Sequence, residues 1–225
     1  MSPSSQQLTQ KPPNTIDQLG SNETAVIQRR YDRVAPFYDA MESLIERLRF
    51  ATWREEMWSQ VEGEVVFEVG VGTGKNLQYY PDGRDITGLD ISAKMLARAC
   101  ERVHRLGVEV KLVQGDAQAL PFEDNSFDSV VSTFVFCSVP DPIQGLRELR
   151  RVLVPGGQLI MLEHVLSHKP VLRTLMRWFD FLPYHLWGAH IDRETVANVH
   201  SAGFKEVVDT DLSLDMVKLI EARSP

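Results

Sequence analysis

The sequence predicts an α/β domain built on a parallel sheet, and three observations carry that prediction. From Glu64 onward, short apolar runs alternate with amphipathic stretches long enough for helices, which is the pattern of βαβ units. The first apolar run ends in three alternating glycines that open a helix. Caps then mark later helices: Ser92 precedes one, and Asp141 with Pro142 at the first helical position precedes another. A chain of 225 residues, 43% hydrophobic and 24% charged, suits one such domain with additions.

Each element follows in order. Residues 1–23 are rich in Ser, Gln, Pro, Thr and Asn, with too little apolar surface to offset the entropy of ordering, so a disordered tail is expected before a domain over 24–225. From Thr24 to Gln60 apolar residues recur at three and four, which predicts two tandem helices (24–60) with a break near Pro36. Strands are predicted at Val65 to Val69, Asp85 to Leu89, Val108 to Val113, Asp128 to Val135 and Gln158 to Glu163. The helix after Pro142 is expected to stop at Pro155-Gly156-Gly157. A further helix, Asp192 to Ser201, ends at Gly203, and strand-like runs follow at Phe204 to Asp209 and Met216 to Ala222. No internal repeat is visible, which excludes solenoids and propellers. Residues 165–191 form an insertion dense in aromatics and histidines. All four tryptophans (Trp53, Trp58, Trp178, Trp187) lie there or in the N-terminal helices, where their rings are expected to build a pocket over the strand ends.

Charge and composition narrow the function. Acidic residues outnumber basic ones by 31 to 24, so no global field attracts phosphate backbones, and a nucleic-acid partner is not expected. The longest uncharged run, Ser129 to Pro140, falls well short of the ~20 residues of a membrane-spanning helix. The N-terminal stretch lacks the basic start, apolar core and cleavage site of a secretion signal, and the expected location is cytoplasmic. Cys100 and Cys137 fall in segments that read as a helix and a buried strand. Both are expected to be reduced core residues, with no disulfide framework and no zinc site.

The strongest local signal is the run Val65-Val66-Phe67-Glu68-Val69-Gly70-Val71-Gly72-Thr73-Gly74-Lys75-Asn76. Glycines stand where the backbone turns tightly and a ligand can lie against it. A dinucleotide fingerprint would need glycine at position 75, where the chain has Lys75. A phosphate-gripping loop would need glycine at position 69 and a hydroxyl residue at 76, where Val69 and Asn76 stand. An acid two residues before the triplet instead suits a zwitterionic amino-acid tail, its ammonium drawn to Glu68 and its carboxylate to the helix N-terminus.

These residues resemble the class I S-adenosylmethionine-dependent methyltransferases, from about Tyr31 to the C-terminus. Glu68 to Gly74, with Gly70, Gly72 and Gly74, looks like the family's first motif. Asp90 is similar to the acid that holds the two ribose hydroxyls. Ile91 and Met95 resemble the apolar residues that pack on adenine. Gly115-Asp116-Ala117 looks like the third motif, whose acid accepts from the adenine amine. Thr133, in the predicted fourth strand, joins the implied cofactor-binding set, and Leu153 to Leu159 matches the turn L-x-P-G-G-x-L. The resemblance implies a Rossmann-like seven-stranded sheet with its last strand antiparallel, N-terminal helices and a helical lid insertion. It also implies S-adenosyl-L-methionine as cofactor.

Within the family, Tyr31-Asp-Arg-Val-Ala-Pro-Phe-Tyr38-Asp looks like the opening of ubiquinone, menaquinone and bacterial phospholipid methyltransferases. The stretches Phe136 to Pro142 and Leu162 to Val165 are more similar to the phosphatidylethanolamine and thiol branches. The signatures of DNA amino- and cytosine-C5-methylating enzymes are absent. The expected acceptor is therefore a small hydrophobic or lipidic molecule, foremost a phosphatidylethanolamine-type amine. A quinone precursor or a thiol is the alternative, and a cofactor-binding interaction protein is the non-enzyme reading. Methyl transfer needs no metal, but a protonated amine cannot attack. His164 is the candidate base, with strand capping as its plainer role; Glu163 is a substitute or simply a salt-bridge partner of Arg173, and Tyr38 is a candidate positioning group. The other histidines lack metal-ligand spacing. The stripe 171, 172, 175, 176, 179 and 182 beside Lys169, Arg173 and Arg177, together with the arginines of the N-terminal helices, would suit peripheral contact with an anionic membrane.

Overall fold

The computed structural model describes residues 22–45, 50–167, 169, 170, 174, 194–213 and 215–225, without the side chains of 22 and 36–45. Helices α1 (Asn22–Ile45) and α2 (Ala51–Ser59) precede β1 (Val65–Val69), β2 (Asp85–Asp90), α3 (Ala93–Leu106), β3 (Lys111–Gln114) and β4 (Phe127–Thr133). Helix α4 (Pro142–Val152), β5 (Leu153–His164), α5 (Thr195–Ser201), β6 (Lys205–Ser213) and β7 (Val217–Arg223) complete the described chain.

The seven strands form one sheet in the order β3-β2-β1-β4-β5-β7-β6. Strands β1 to β5 pair in parallel, and β7 runs antiparallel to both β5 and β6, as the resemblance implied. Strand order reverses between β1 and β4, the place where open α/β sheets bind ligands beyond their carboxyl ends.

Central strands are apolar on both faces because each face is covered. On β1, Phe67 and Val69 enter one core with Leu146, Leu149 and Val199 of α4 and α5, while Val66 enters another with Met57 and Trp58 of α2. On β5 the same alternation sends Leu159 and Met161 one way, Ile160 and Leu162 the other. The expected caps form: Ser92 Oγ accepts from the Met95 N–H at 3.1 Å, and Asp141 Oδ1 from the Gln144 N–H at 2.9 Å.

Several expectations are corrected. Helix α1 runs unbroken through Pro36, whose fixed φ is helical and which removes a single N–H from the ladder. Strand β5 begins at Leu153, and its register with β4 jumps from Phe127↔Leu153 to Ser129↔Gln158, so the Pro-Gly-Gly turn interrupts a strand and follows no helix end directly. Cys100 is exposed on α3, opposite the face that buries Met95 and Ala99, whereas Cys137 is buried as expected. Trp58 is buried against Tyr80 with ring centroids 4.5 Å apart, and Trp53 packs on the same core; neither lines the described cleft. The tail before residue 22, most of the 165–191 insertion and its stripe, His168, His185, His190, Trp178 and Trp187 lie outside the described residues.

Candidate active site

At the carboxyl end of β1 the chain must leave the sheet without obstructing the space above it, and the glycines allow this, opening turns and a short 3₁₀ segment (Leu77–Tyr79) in place of the helix expected there. Gly70, Gly72 and Gly74 all take left-handed backbone, with φ of 71, 56 and 80°. A Cβ at Gly70 would lie 2.3 Å from Val135 Cγ2, so glycine lets the turn touch the β4 loop. A Cβ at Gly72 would meet nothing nearer than the Gly70 carbonyl at 3.9 Å, so it would project into open space. Gly74 faces inward, against Leu77 and Ala99.

Two carboxylates flank that space. Asp90 ends β2 and is 9% exposed; Gly72 N–H donates to its Oδ2 at 2.9 Å and Ser92 N–H to its Oδ1 at 2.8 Å. Each oxygen keeps a further lone pair. Burial pushes its pKa up to about 6 against these hydrogen bonds, and Asp32 nearby adds to the rise. Asp116, after β3, accepts from the N–H and side-chain amide of Gln118 at 2.9 to 3.1 Å.

Helix α1 lies across the top. Its Thr24 hydroxyl accepts from Gln118 Nε2 at 3.1 Å, the hydroxyls of Tyr31 and Ser138 share a bond of 2.7 Å, and Asp32 Oδ1 accepts from Ser92 Oγ at 2.5 Å. The cleft beneath encloses about 750 Å³, its open mouth included. Asp90, Ile91, Met95, Asp116, Ala117, Thr133, Gly70 and Gly72 all line it, joined by Ile27, Tyr31, Phe134 and Val139.

Residues 67–161 match the family described as a methyltransferase domain. A phosphatidylethanolamine N-methyltransferase from Cereibacter sphaeroides is 40% identical over 129 residues, covering 55% of this chain and 64% of that protein, just under two thirds of its length. A demethylmenaquinone methyltransferase from Lactobacillus johnsonii is 34% identical over 212 residues, covering 82% of this chain and 86% of that one. The chain belongs to the S-adenosylmethionine-dependent methyltransferases. The methyltransferase shares its fold with an S-adenosylmethionine-dependent methyltransferase from Thermotoga maritima, at a TM-score of 0.69 and 22% identity over 88% of this chain and 99% of that one.

The residues suit the family's cofactor. Two buried acids with spare lone pairs can accept from a ribose diol and an adenine amine, and the open side of Gly72 leaves room for the rest. Among the described residues no cluster of His, Cys, Asp and Glu could hold a metal ion.

Two residues expected on the cofactor stand elsewhere. Gly74 turns away from the cleft, and Glu68 sits behind the glycine turn, 1% exposed. Asn76 Nδ2 donates to Glu68 Oε1 at 2.5 Å and Tyr80 OH donates to Oε2, while Arg54 of α2 donates to Asn76 Oδ1 at 2.7 Å. Burial raises Glu68 to about 7, opposed by these hydrogen bonds and by the Arg54 charge. Its two oxygens thus hold the turn from below, which corrects the reading of Glu68 as a direct ammonium partner. Asn76 also donates to Thr133 Oγ1 at 3.0 Å, tying β1, β4 and α2 together.

The candidate base is corrected too. His164 does not line the described cleft; its ring stacks on Phe134 at 4.4 Å and meets Phe50 edge-on at 6.2 Å. Burial pulls its pKa down to about 4, against a hydrogen bond with the Met216 backbone, so the ring is neutral at pH 7 and backs Phe134. The side chain of Tyr38 lies outside the described set. Sequence reasoning passed over Asn76, Tyr80, Gln118 and Ser138 as site residues and grouped Arg54 with the arginines suited to a membrane, whereas Arg54 is buried on Asn76. Only Asn76, where a phosphate loop would carry a hydroxyl, left a local trace.

Proposed function

We propose that this methyltransferase moves a methyl group onto a hydrophobic acceptor, foremost the amine of a phosphatidylethanolamine-type lipid. One observation carries the acceptor class: apart from Asp90 and Asp116, the described lining of the cleft holds no charged side chain. Ile27, Tyr31, Phe134, Val135, Val139 and Pro140 supply apolar and aromatic lining suited to a molecule with a small polar head. The 40% identity to a protein named for phosphatidylethanolamine N-methylation supports the amine.

When bound, S-adenosylmethionine supplies a methyl group already activated on a sulfonium, and the chain's contribution is alignment. In this reading Asp90 accepts from the ribose hydroxyls, Asp116 from the adenine amine, and Ile91, Met95 and Ala117 enclose the ring. The glycine turn and Thr133 border the amino-acid end, and Tyr38 is a positioning group. An apolar cleft disfavours a charged amine, so the amine sheds its proton to water on entry and attacks as the neutral form. The cationic product then lies near the Tyr31 ring, an aromatic group of the lining.

The outer face of α1 presents Val26, 41% exposed, beside exposed Arg29 and Arg33, which suits an anionic bilayer from which such a lipid enters. No helix among the described residues is long and apolar enough to cross a membrane. A quinone precursor is the second reading, favoured by the longer alignment with the demethylmenaquinone methyltransferase. Labelled cofactor offered with phosphatidylethanolamine or demethylmenaquinone in detergent micelles separates the two. Label in the aminophospholipid alone is expected, and label in the quinone alone rejects the amine.

A further inference from the structure

We propose that Glu163 is a positioning residue that sets the acceptor side of the cleft by clamping the backbone of the loop after β4. Glu163 is fully buried on β5 and does not line the cleft. Its Oε1 accepts three hydrogen bonds: from Ser132 Oγ at 2.9 Å, Val135 N–H at 3.0 Å and Phe136 N–H at 3.2 Å. Its Oε2 is buried and has no hydrogen-bond partner among the described residues.

The gripped segment needs such a hold. Between the donors lies Phe134, a bulky residue in left-handed backbone at φ 56°, a conformation that persists only where the surroundings enforce it. Its own N–H is fixed to the Leu162 carbonyl at 2.8 Å, and Glu163 captures the next two amides, so the backbone is pinned on both sides of the unfavourable residue. The consequence reaches the cleft, because Phe134 and Val135 both line it and Val135 rests on Gly70. One carboxyl oxygen therefore fixes how far the acceptor wall stands from the glycine turn.

Among the described residues no cation pairs with Glu163, and a buried carboxyl so placed is costly to the fold, a cost that an apolar side chain of similar shape would avoid. The clamp accounts for its presence. Its catalytic consequence rests on the methyl-transfer reading, whereas the clamp itself can be read without an acceptor.

The test compares Glu163→Gln, whose amide oxygen can accept the same three donors, with Glu163→Met, which accepts none. Hydrogen exchange in the folded protein should show the Val135 and Phe136 amides protected in wild type and Glu163→Gln. In Glu163→Met they should exchange roughly ten- to a hundredfold faster. With phosphatidylethanolamine in micelles, kcat should fall about a hundredfold in Glu163→Met and stay within about threefold in Glu163→Gln. Affinity for S-adenosylhomocysteine should stay within about threefold in both, since Asp90, ending β2, and Asp116, after β3, lie outside the clamped loop. Unchanged exchange in Glu163→Met overturns the clamp, and so does unchanged turnover. Equal loss in both variants overturns the role of the accepting oxygen. If wild type leaves phosphatidylethanolamine unmethylated, the acceptor reading fails alone, and the exchange measurement still decides the clamp.

Discussion

Replacing Asp90 with alanine isolates the hydrogen bonds expected to hold the cofactor's ribose. Its two oxygens already accept from Gly72 and Ser92 N–H at 2.9 and 2.8 Å, and the side chain lines the cleft, where ligand hydroxyls can donate to it. Two ligand hydroxyls donating to one carboxylate contribute about 1.5–3 kcal/mol each, so their loss corresponds to roughly 10²- to 10⁴-fold in Kd. Asp90→Asn should fall between, because the backbone donors approach different oxygens and an amide nitrogen must face one of them. The carboxyl is held up at about 6 by burial, so it is itself a burden on the ligand-free fold. The alanine variant should therefore stay folded, with a melting temperature within a few degrees of wild type. Titration calorimetry with S-adenosylhomocysteine is the assay, with circular dichroism as the fold control. A Kd within twofold of wild type in a folded Asp90→Ala protein would refute the assignment of this acid to the ligand.

Other outcomes follow from the same geometry. Gly72→Ala and Gly83→Ala both replace a left-handed glycine and should each cost about 1 kcal/mol in urea unfolding, but only Gly72→Ala places its Cβ in the cleft and should weaken cofactor binding more than tenfold. Binding should also depend on pH with a defined sign. Ligand hydroxyls favour the carboxylate, so binding expels the Asp90 proton, and affinity measured by calorimetry should be flat above pH 7 and weaken toward tenfold per pH unit below about 6. Glu163, raised to about 7 by burial, holds a proton in the fold that the unfolded chain releases near pH 4, so its contribution to stability falls as pH rises between those values. Glu163→Gln should thus gain stability over wild type by about 3 kcal/mol at most at pH 8 and by little at pH 4, and a pH-independent difference in chemical unfolding would contradict this. His164→Phe should preserve turnover because the ring serves as packing behind Phe134, and a loss of a hundredfold or more would restore it as the base.

What the sequence made legible was local chemistry. The glycine triplet, Asp90, Asp116 and the helix caps are short patterns with a backbone reason for each residue, and the structure places all but Glu68 and Gly74 of the expected cofactor set on one cleft. Glu68 misled because an acid before a glycine turn looks the same whether it faces a ligand or ties down Asn76 and Tyr80. The roof was illegible for a different reason: Thr24, Tyr31 and Asp32 find partners 94, 107 and 60 residues away, and no local pattern encodes such pairings. His164 likewise acquires its apolar surroundings from Phe50 and Phe134, two elements distant in the chain. Cys100 was recoverable in principle, since the helical phase that buries Met95 and Ala99 puts it outside. The proline in α1 misled because its fixed φ is itself helical, so the helix continues through it.

The central claim is methyl transfer to a lipid amine, and the most direct measurement follows the methyl group itself. Purified protein incubated with methyl-labelled S-adenosylmethionine and phosphatidylethanolamine micelles should yield label in the N-methylated phospholipid, and Asp90→Ala should abolish it. Label appearing instead in a quinone or thiol acceptor from a lipid and metabolite extract, with the aminophospholipid left unlabelled, would contradict the account.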